Sequence, residues 1–372
     1  MKLMKKMLVV VLLLALALGS ISCSNKPDDS KEDAKEDDKG KEKIRVAVSL
    51  PTKEQSVWTR YSNSIEKAFA GDEYELDIQF AEDKTDLQIS QIENMMINEP
   101  DFFIITSVDT YAMTDIMDKV KQQKPDITII ACDRLIMDTE KVDYYIAFDL
   151  VKIGELQGQY IADKLDLENQ SGPFYLEIFS GSPADSNSIP FYEGAMSVLN
   201  PYLEEGKLVC KSGQVSLDVT GTMNWEAAIA QARMDNLLSA YYSDTDLDAA
   251  LVAADVLSLG VVASLSSMGY GGDSGKKFPI VTGQDAEIAS VKSILAGEQS
   301  MTVALDTELS AACMKDIVDT IASGEEPVPD DTTTYNNNVK NINSFLLEPT
   351  AIDKDNYELL FEWKILSEDD LK

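Results

Sequence analysis

The residues able to do chemistry in this chain gather where apolar stretches end. Asp133-Arg134 follows the apolar residues 127–132, and Asn187 closes the polar stretch 180–187 that comes after residues 174–179. Asp255 stands just beyond residues 249–253, and Gln284-Asp285 beyond 280–282. Trp58 lies a turn past Pro51-Thr52-Lys53, at the end of the first apolar run, and Trp225 opens a later helical stretch. Carboxylates accept from hydroxyls, Arg and Asn fork onto adjacent pairs of them, and indoles cover flat faces of C–H bonds. The set Trp58, Asp133, Arg134, Asn187, Trp225, Asp255 and Gln284 therefore suits a small ring rich in hydroxyls, such as a monosaccharide. It offers no general base beside an obvious nucleophile.

Composition narrows the chemistry further. Histidine is absent, which removes Ser-His-Asp and Cys-His catalysis, His-ligated zinc and the usual near-neutral proton shuttle. After Cys23 only Cys132, Cys210 and Cys313 remain, with no CxxC, so neither a disulfide framework nor a metal site is implied and each reads as a buried small hydrophobe. The glycines from Gly269 to Gly275 fail as a phosphate loop, because Lys277 stands where Ser or Thr belongs and a strand follows. No GxGxxG follows the first strand, so no dinucleotide and no other cofactor is expected. A net charge of −33 argues against nucleic acid as a partner.

Each candidate has an ordinary structural alternative. Asp133-Arg134 could be a strand-end salt bridge of little worth. Asn187, with Asp185, could cap the helix that follows, and Asp255 could cap the helix beginning at Val256. A single tryptophan is more often core than platform. What separates the readings is the constellation, because most of the seven recur at one kind of place.

That place is the carboxyl end of parallel strands. From residue 44 onward, apolar strands at 44–50, 74–80, 102–106 and 127–132 alternate with helical spacing at 57–69 and 87–96. After 145–148 the alternation restarts, with strands at 174–179, 208–210, 249–253 and 280–282 and helices centred near Met196, Arg233, Val261 and Ile294. Alternation of this kind means an α/β fold with doubly wound parallel sheets and right-handed crossovers. In 372 residues two lobes of ordinary domain size are expected, with the break near Asp149 and Leu150. Ligands of such sheets bind beyond the carboxyl ends of the strands.

The N-terminus is of another kind. Lys2, Lys5 and Lys6 precede the apolar residues 7–18, a run short of the roughly 20 residues of a membrane span, so residues 1–22 read as a signal peptide. Gly19-Ser20-Ile21-Ser22-Cys23 resembles a lipobox, with Ser20 where Leu is usual, which implies a lipid on Cys23. Residues 23–43 alternate Lys with Asp and Glu, and read as a disordered linker.

Several segments together resemble a family. Cys132-Asp133-Arg134-Leu135-Ile136, Gly181-Ser182-Pro183 with Asn187, residues 231–238 and Thr282-Gly283-Gln284-Asp285-Ala286-Glu287 are similar to the periplasmic sugar-binding proteins of ABC importers, of the xylose-binding and multiple-monosaccharide-binding type. The resemblance implies a type I periplasmic-binding-protein fold, two lobes on a three-crossover hinge with sugar bound between them. The expected division is 44–149 plus 285–310 for the first lobe, 150–284 plus 311–347 for the second, and a tail at 348–372 packed on both. Its sugar contacts would fall on Trp58, Asp133, Arg134, Asn187, Asp255 and Gln284, with Trp225 in a matching segment. Val57, Leu150 and Ala254 depart from the family's polar residues. The implied partners are a monosaccharide and an ABC permease, for a non-enzymatic, extracytoplasmic monomer that touches the membrane only through its lipid. A sugar-sensing receptor for a sensor kinase or chemoreceptor, a binder of another small polar ligand, and a glycan-cleaving surface enzyme using Asp133 and Asp255 are the competing readings.

Overall fold

A computed structural model describes residues 43–272 and 275–372. The expected signal peptide, Cys23 and the expected linker as far as residue 42 lie outside the described residues. The chain first runs β1 (Ile44–Leu50), α1 (Ser56–Ala68), β2 (Tyr74–Phe80), α2 (Thr85–Met95), β3 (Phe102–Ile105), α3 (Thr114–Gln123), β4 (Thr128–Cys132) and β5 (Tyr144–Phe148). It continues with α4 (Leu150–Lys164), β6 (Phe174–Phe179), α5 (Ser188–Glu204), β7 (Leu208–Val209), α6 (Leu217–Thr220), α7 (Ala227–Tyr241), β8 (Ala249–Val252), α8 (Asp255–Ser267), β9 (Ile280–Val281), α9 (Ile288–Ala296) and β10 (Met301–Ala304). It closes with α10 (Thr307–Ala322), β11 (Asn343–Leu347), β12 (Thr350–Asp353) and α11 (Leu359–Glu362).

Two parallel sheets result. The first has the order β2-β1-β3-β4-β5-β11, every pair parallel. Its inner strands are Phe-Phe-Ile-Ile in β3 and Thr-Ile-Ile-Ala-Cys in β4. These are buried on both faces, as strands covered by helices on each side must be. Edge strand β2, Tyr-Glu-Leu-Asp-Ile-Gln-Phe, alternates polar with apolar and stays mostly half-buried. One face carries Phe103, Ile105, Ile129 and Tyr145 against α2 and α3. The other carries Val46, Val48, Ile104 and Ile146 against Tyr61 and Ile65 of α1 and Met314 and Ile317 of α10. Helix α1 buries Val57, Trp58, Tyr61 and Ile65, a single stripe.

The second sheet has the order β7-β6-β8-β9, all parallel, and Gln284 just past β9 bridges in parallel to Val303 of β10, which pairs antiparallel with β12. Helices α4 and α5 pack backbone to backbone on one face. A Cβ at Gly154 would stand 2.0 Å from the Phe191 carbonyl oxygen, so only glycine permits that approach. The chain passes between the sheets three times, after β5, after β10 and after β11, and these passages form the hinge.

The expected lobe boundaries are corrected here. Residues 285–304 belong to the second lobe, where Ala286, Val291 and Ala304 share a core with Ile352, Leu360 and Ile365 of the C-terminal segment. Helix α10 and strand β11 belong to the first lobe, because β11 pairs with β5 and α10 packs on α1. The tail is thus a built part of the second lobe through β12. Of the described cysteines only Cys132 is buried; Cys210 and Cys313 are half-buried, and Cys210 lies among the polar groups of Glu177 and Ser212. No helix among the described residues is long and apolar enough to cross a membrane.

Candidate functional site

Strand order reverses at β1 in the first sheet and between β6 and β8 in the second, and the loops leaving those strands face one another. Between them lies a cleft with about 370 Å³ of atom-free space, part of it open to solvent. Its lining is Gln55, Trp58, Asp133, Arg134 from the first lobe and Asp185, Asn187, Phe191, Trp225, Ala254, Val256, Gln284, Asp285 from the second.

Asp133 leaves β4 with a left-handed backbone, φ 62°, a conformation that is uncommon outside glycine and is held here by two main-chain anchors. Its N–H donates to the Ile146 carbonyl at 2.7 Å, and the Tyr145 hydroxyl donates to its carbonyl at 2.6 Å. Arg134 is fixed at both ends of its guanidinium. One Nη donates to the Ser107 carbonyl at 3.0 Å, and Nε pairs with Asp185 Oδ2 of the other lobe at 2.8 Å. Its guanidinium carbon stands 5.2 Å from the centre of the Trp58 ring. Trp58 in turn donates from Nε1 to Gln55 Oε1 at 3.2 Å and rests on Tyr61, so it is a core residue with one face on the cleft.

On the second lobe Asn187 occupies the first cap position of α5, yet its side chain makes no cap bond. It reaches across instead, donating from Nδ2 to the Asp133 carbonyl at 3.0 Å and to Asp133 Oδ1 at 3.2 Å. Trp225 is presented by two consecutive left-handed residues, Asn224 (φ 53°) and Trp225 (φ 57°), and donates from Nε1 to Asp185 Oδ2 at 3.1 Å. Its ring lies against Gly181, where a Cβ would stand 2.1 Å from the indole edge. Gln284 donates to Asp285 Oδ1 at 3.2 Å.

Burial shapes the charges. It pushes the Asp133 carboxyl up to about 7, against the pull of Arg134 and the Asn187 amide and with a further push from Asp185 and Asp285. It pushes Asp285 up to about 6, assisted by Glu287 and opposed by Arg60. Two buried acceptors on the cleft, Asn187 Oδ1 and Gln284 Oε1, have no hydrogen-bond partner.

Six of the seven residues chosen from the sequence, Trp58, Asp133, Arg134, Asn187, Trp225 and Gln284, therefore line one cleft. Asp255 does not. Its carboxylate is fully buried and turned into the second lobe, taking Gln299 Nε2 at 2.7 Å, Thr302 Oγ1 at 2.9 Å and the Glu287 N–H at 2.9 Å. Burial raises its pKa well above the usual carboxylate range despite those donors. It is the first residue of α8 and a fastener of the segment 284–287. Of the three departures only Ala254 lines the cleft; Val57 and Leu150 are buried core residues. Asp149 caps α4 by accepting the Lys152 N–H at 3.0 Å. Sequence reasoning passed over Gln55, Asp185 and Asp285 as lining residues, although each adjoins a residue or stretch it had singled out.

Two parallel-sheet lobes on three crossovers, with a polar cleft lined from both, are the build of a periplasmic binding protein. The chain belongs to that family: the model of the periplasmic binding protein domain matches residues 46–326. It is 46% identical over 332 residues to the multiple sugar-binding periplasmic receptor ChvE of Rhizobium radiobacter, across 89% of this chain and 93% of that one. It is 34% identical to the D-xylose-binding periplasmic protein of Escherichia coli, across 75% of this chain and 77% of that one. The solute-binding protein of an ABC transporter from Clostridium phytofermentans, solved with β-D-glucose bound, superposes with a TM-score of 0.84 at 41% identity, over 88% of this chain and 100% of that one.

Proposed function

We propose that this chain captures a monosaccharide in the cleft between its lobes and delivers it to an ABC importer, working as a non-enzymatic receptor outside the cytoplasmic membrane. The observation that carries the reading is the pair of buried, unpartnered acceptors, Asn187 Oδ1 and Gln284 Oε1, beside Asp133, Asp285 and Arg134. A buried acceptor left alone costs roughly 1–3 kcal/mol. Hydroxyl groups entering the cleft would satisfy both acceptors, while the carboxylates accept further hydroxyls and Arg134 donates. Trp58, Phe191 and Trp225 supply the apolar faces against which the C–H side of a sugar ring packs. The sugar-bound relatives support the same ligand class.

In the same reading residues 1–22 direct export, Cys23 carries the lipid, residues 23–43 tether the body, and the receptor works as a monomer with the permease as its partner. A thermal-shift panel of D-glucose, D-xylose, D-galactose and myo-inositol tests the ligand class. A binding sugar at a hundredfold excess over its Kd stabilises the fold by about 2.7 kcal/mol. A panel that leaves the melting temperature unmoved would remove the reading.

A further inference from the structure

Helix α1 begins without a cap of its own. Its first cap position is Gln55, whose side chain goes to Trp58 rather than to the helix end, and no acidic residue stands in the first turn. Yet the free N–H groups of a helix end and its positive dipole favour a carboxylate there. The carboxylate comes from the other lobe. Glu287 Oε2 accepts the Ser56 hydroxyl at 2.6 Å and Oε1 accepts the Val57 N–H at 3.3 Å. Arg60, one turn further along α1, donates to Ser56 Oγ at 2.7 Å and also to the Asp285 carbonyl of the second lobe.

The segment that delivers Glu287 is held in an unusual shape. Asp285 (φ 96°) and Ala286 (φ 50°) both lie in the left-handed region, a strained conformation that persists only where neighbours impose it. The neighbour is Asp255, whose Oδ2 accepts the Glu287 N–H and whose carboxylate is locked by Gln299 and Thr302. Thus Asp255 aims Glu287 at the end of α1. None of Glu287, Ser56 or Arg60 lines the cleft.

We propose that Glu287 is a closure latch: a positioning residue that caps α1 across the interlobe gap and sets how readily the lobes close, without touching the ligand. A latch of this kind adds the same closing free energy whatever sugar is bound, so it scales all affinities together and leaves selectivity to the cleft residues. The sugar arm of the test rests on the function proposed above; the exchange arm does not.

The variant Glu287→Ala should weaken D-glucose and D-xylose by one common factor, about tenfold, the worth of a charge-assisted hydrogen bond. Glu287→Gln, which keeps an acceptor, should recover part of that loss. Hydrogen exchange without sugar separates a latch from a local cap. A second, separate interlobe contact joins Thr110 N–H to the Ala184 carbonyl at 3.1 Å and Ser186 N–H to Thr110 Oγ1 at 3.1 Å. Loss of a latch speeds exchange at Thr110 and Ser186 as well as at Val57, because all three reopen together. Should Glu287→Ala fail to fold, Ser56→Ala removes from the first lobe the hydroxyl that donates to Glu287 and is read in the same way. Faster exchange confined to residues 56–60, or unequal factors for the two sugars, overturns the proposal. If neither sugar binds the parent protein, the functional reading fails while the exchange result still decides the latch.

Discussion

Asn187 of the second lobe donates its side-chain amide to both the carbonyl and the carboxylate of Asp133 in the first, at 3.0 and 3.2 Å. One amide therefore ties together the two strand ends, β6 and β4, that supply most of the polar lining. It also leaves Asn187 Oδ1 facing the cleft as an acceptor. The contact exists only while the lobes are together, which makes closure and site assembly one event.

Closure is measurable in solution. The ligand-free protein should sample an open form in which the contacts of Asn187 to Asp133 and of Arg134 to Asp185 are broken. Small-angle scattering with saturating D-glucose should give a smaller radius of gyration than without it. Superimposable curves would contradict a hinge.

Gly181 sets the position of the Trp225 ring. In Gly181→Ala the new methyl carbon falls 2.1 Å from the indole, so the ring must shift and its Nε1–H loses Asp185. Sugar affinity should drop about tenfold through the lost stacking and the displaced carboxylate. A calorimetric titration checks this, with the far-ultraviolet circular dichroism unchanged.

The raised carboxyls give a pH signature. In the folded protein Asp133 keeps its proton to about 7 and Asp285 to about 6, against an unperturbed value near 3.8. Between pH 4 and 7 the folded state then holds more protons than the unfolded one, so these two groups lower stability as pH rises through that window. The melting temperature of Asp133→Asn should fall less steeply from pH 5 to 7 than that of the parent, with the gap closing towards pH 4. Equal slopes would show that Asp133 is not buried as described.

Much of this site was legible because it is local in the chain. Asp133-Arg134 stands immediately after a five-residue apolar strand, and the end of a parallel strand is where a ligand must sit. The error at Asp255 has a physical cause. It occupies the same kind of strand end, but its side chain turns inward to hold Glu287, Gln299 and Thr302, a choice made by residues some 30 to 50 positions away. Asp185 and Asp285 were visible only as neighbours of better candidates. Lobe membership failed for a similar reason. Residues 343–347 form an ordinary short strand, and nothing local says that they pair with β5 rather than with the second sheet. Crossovers are long-range facts, whereas alternation of strand and helix is a short-range one.

The lipid anchor proposed at Cys23 has a location that fractionation can check. With Cys23→Ala the protein should leave the membrane fraction or remain unprocessed, and the parent's mature N-terminus should carry a lipid by mass spectrometry. A parent protein with an unmodified N-terminus would exclude the anchor.

A monosaccharide in the cleft should be held through Asp133. Its carboxylate should accept hydrogen bonds from sugar hydroxyls, worth roughly 1.5–3 kcal/mol in a desolvated site. Isothermal titration of D-glucose, or of the best sugar from the thermal-shift panel, into the parent and into Asp133→Ala is the most direct measurement. The variant should stay folded, with a Kd raised by about one to two orders of magnitude. A folded variant that binds the sugar as tightly as the parent would contradict it and put the site elsewhere.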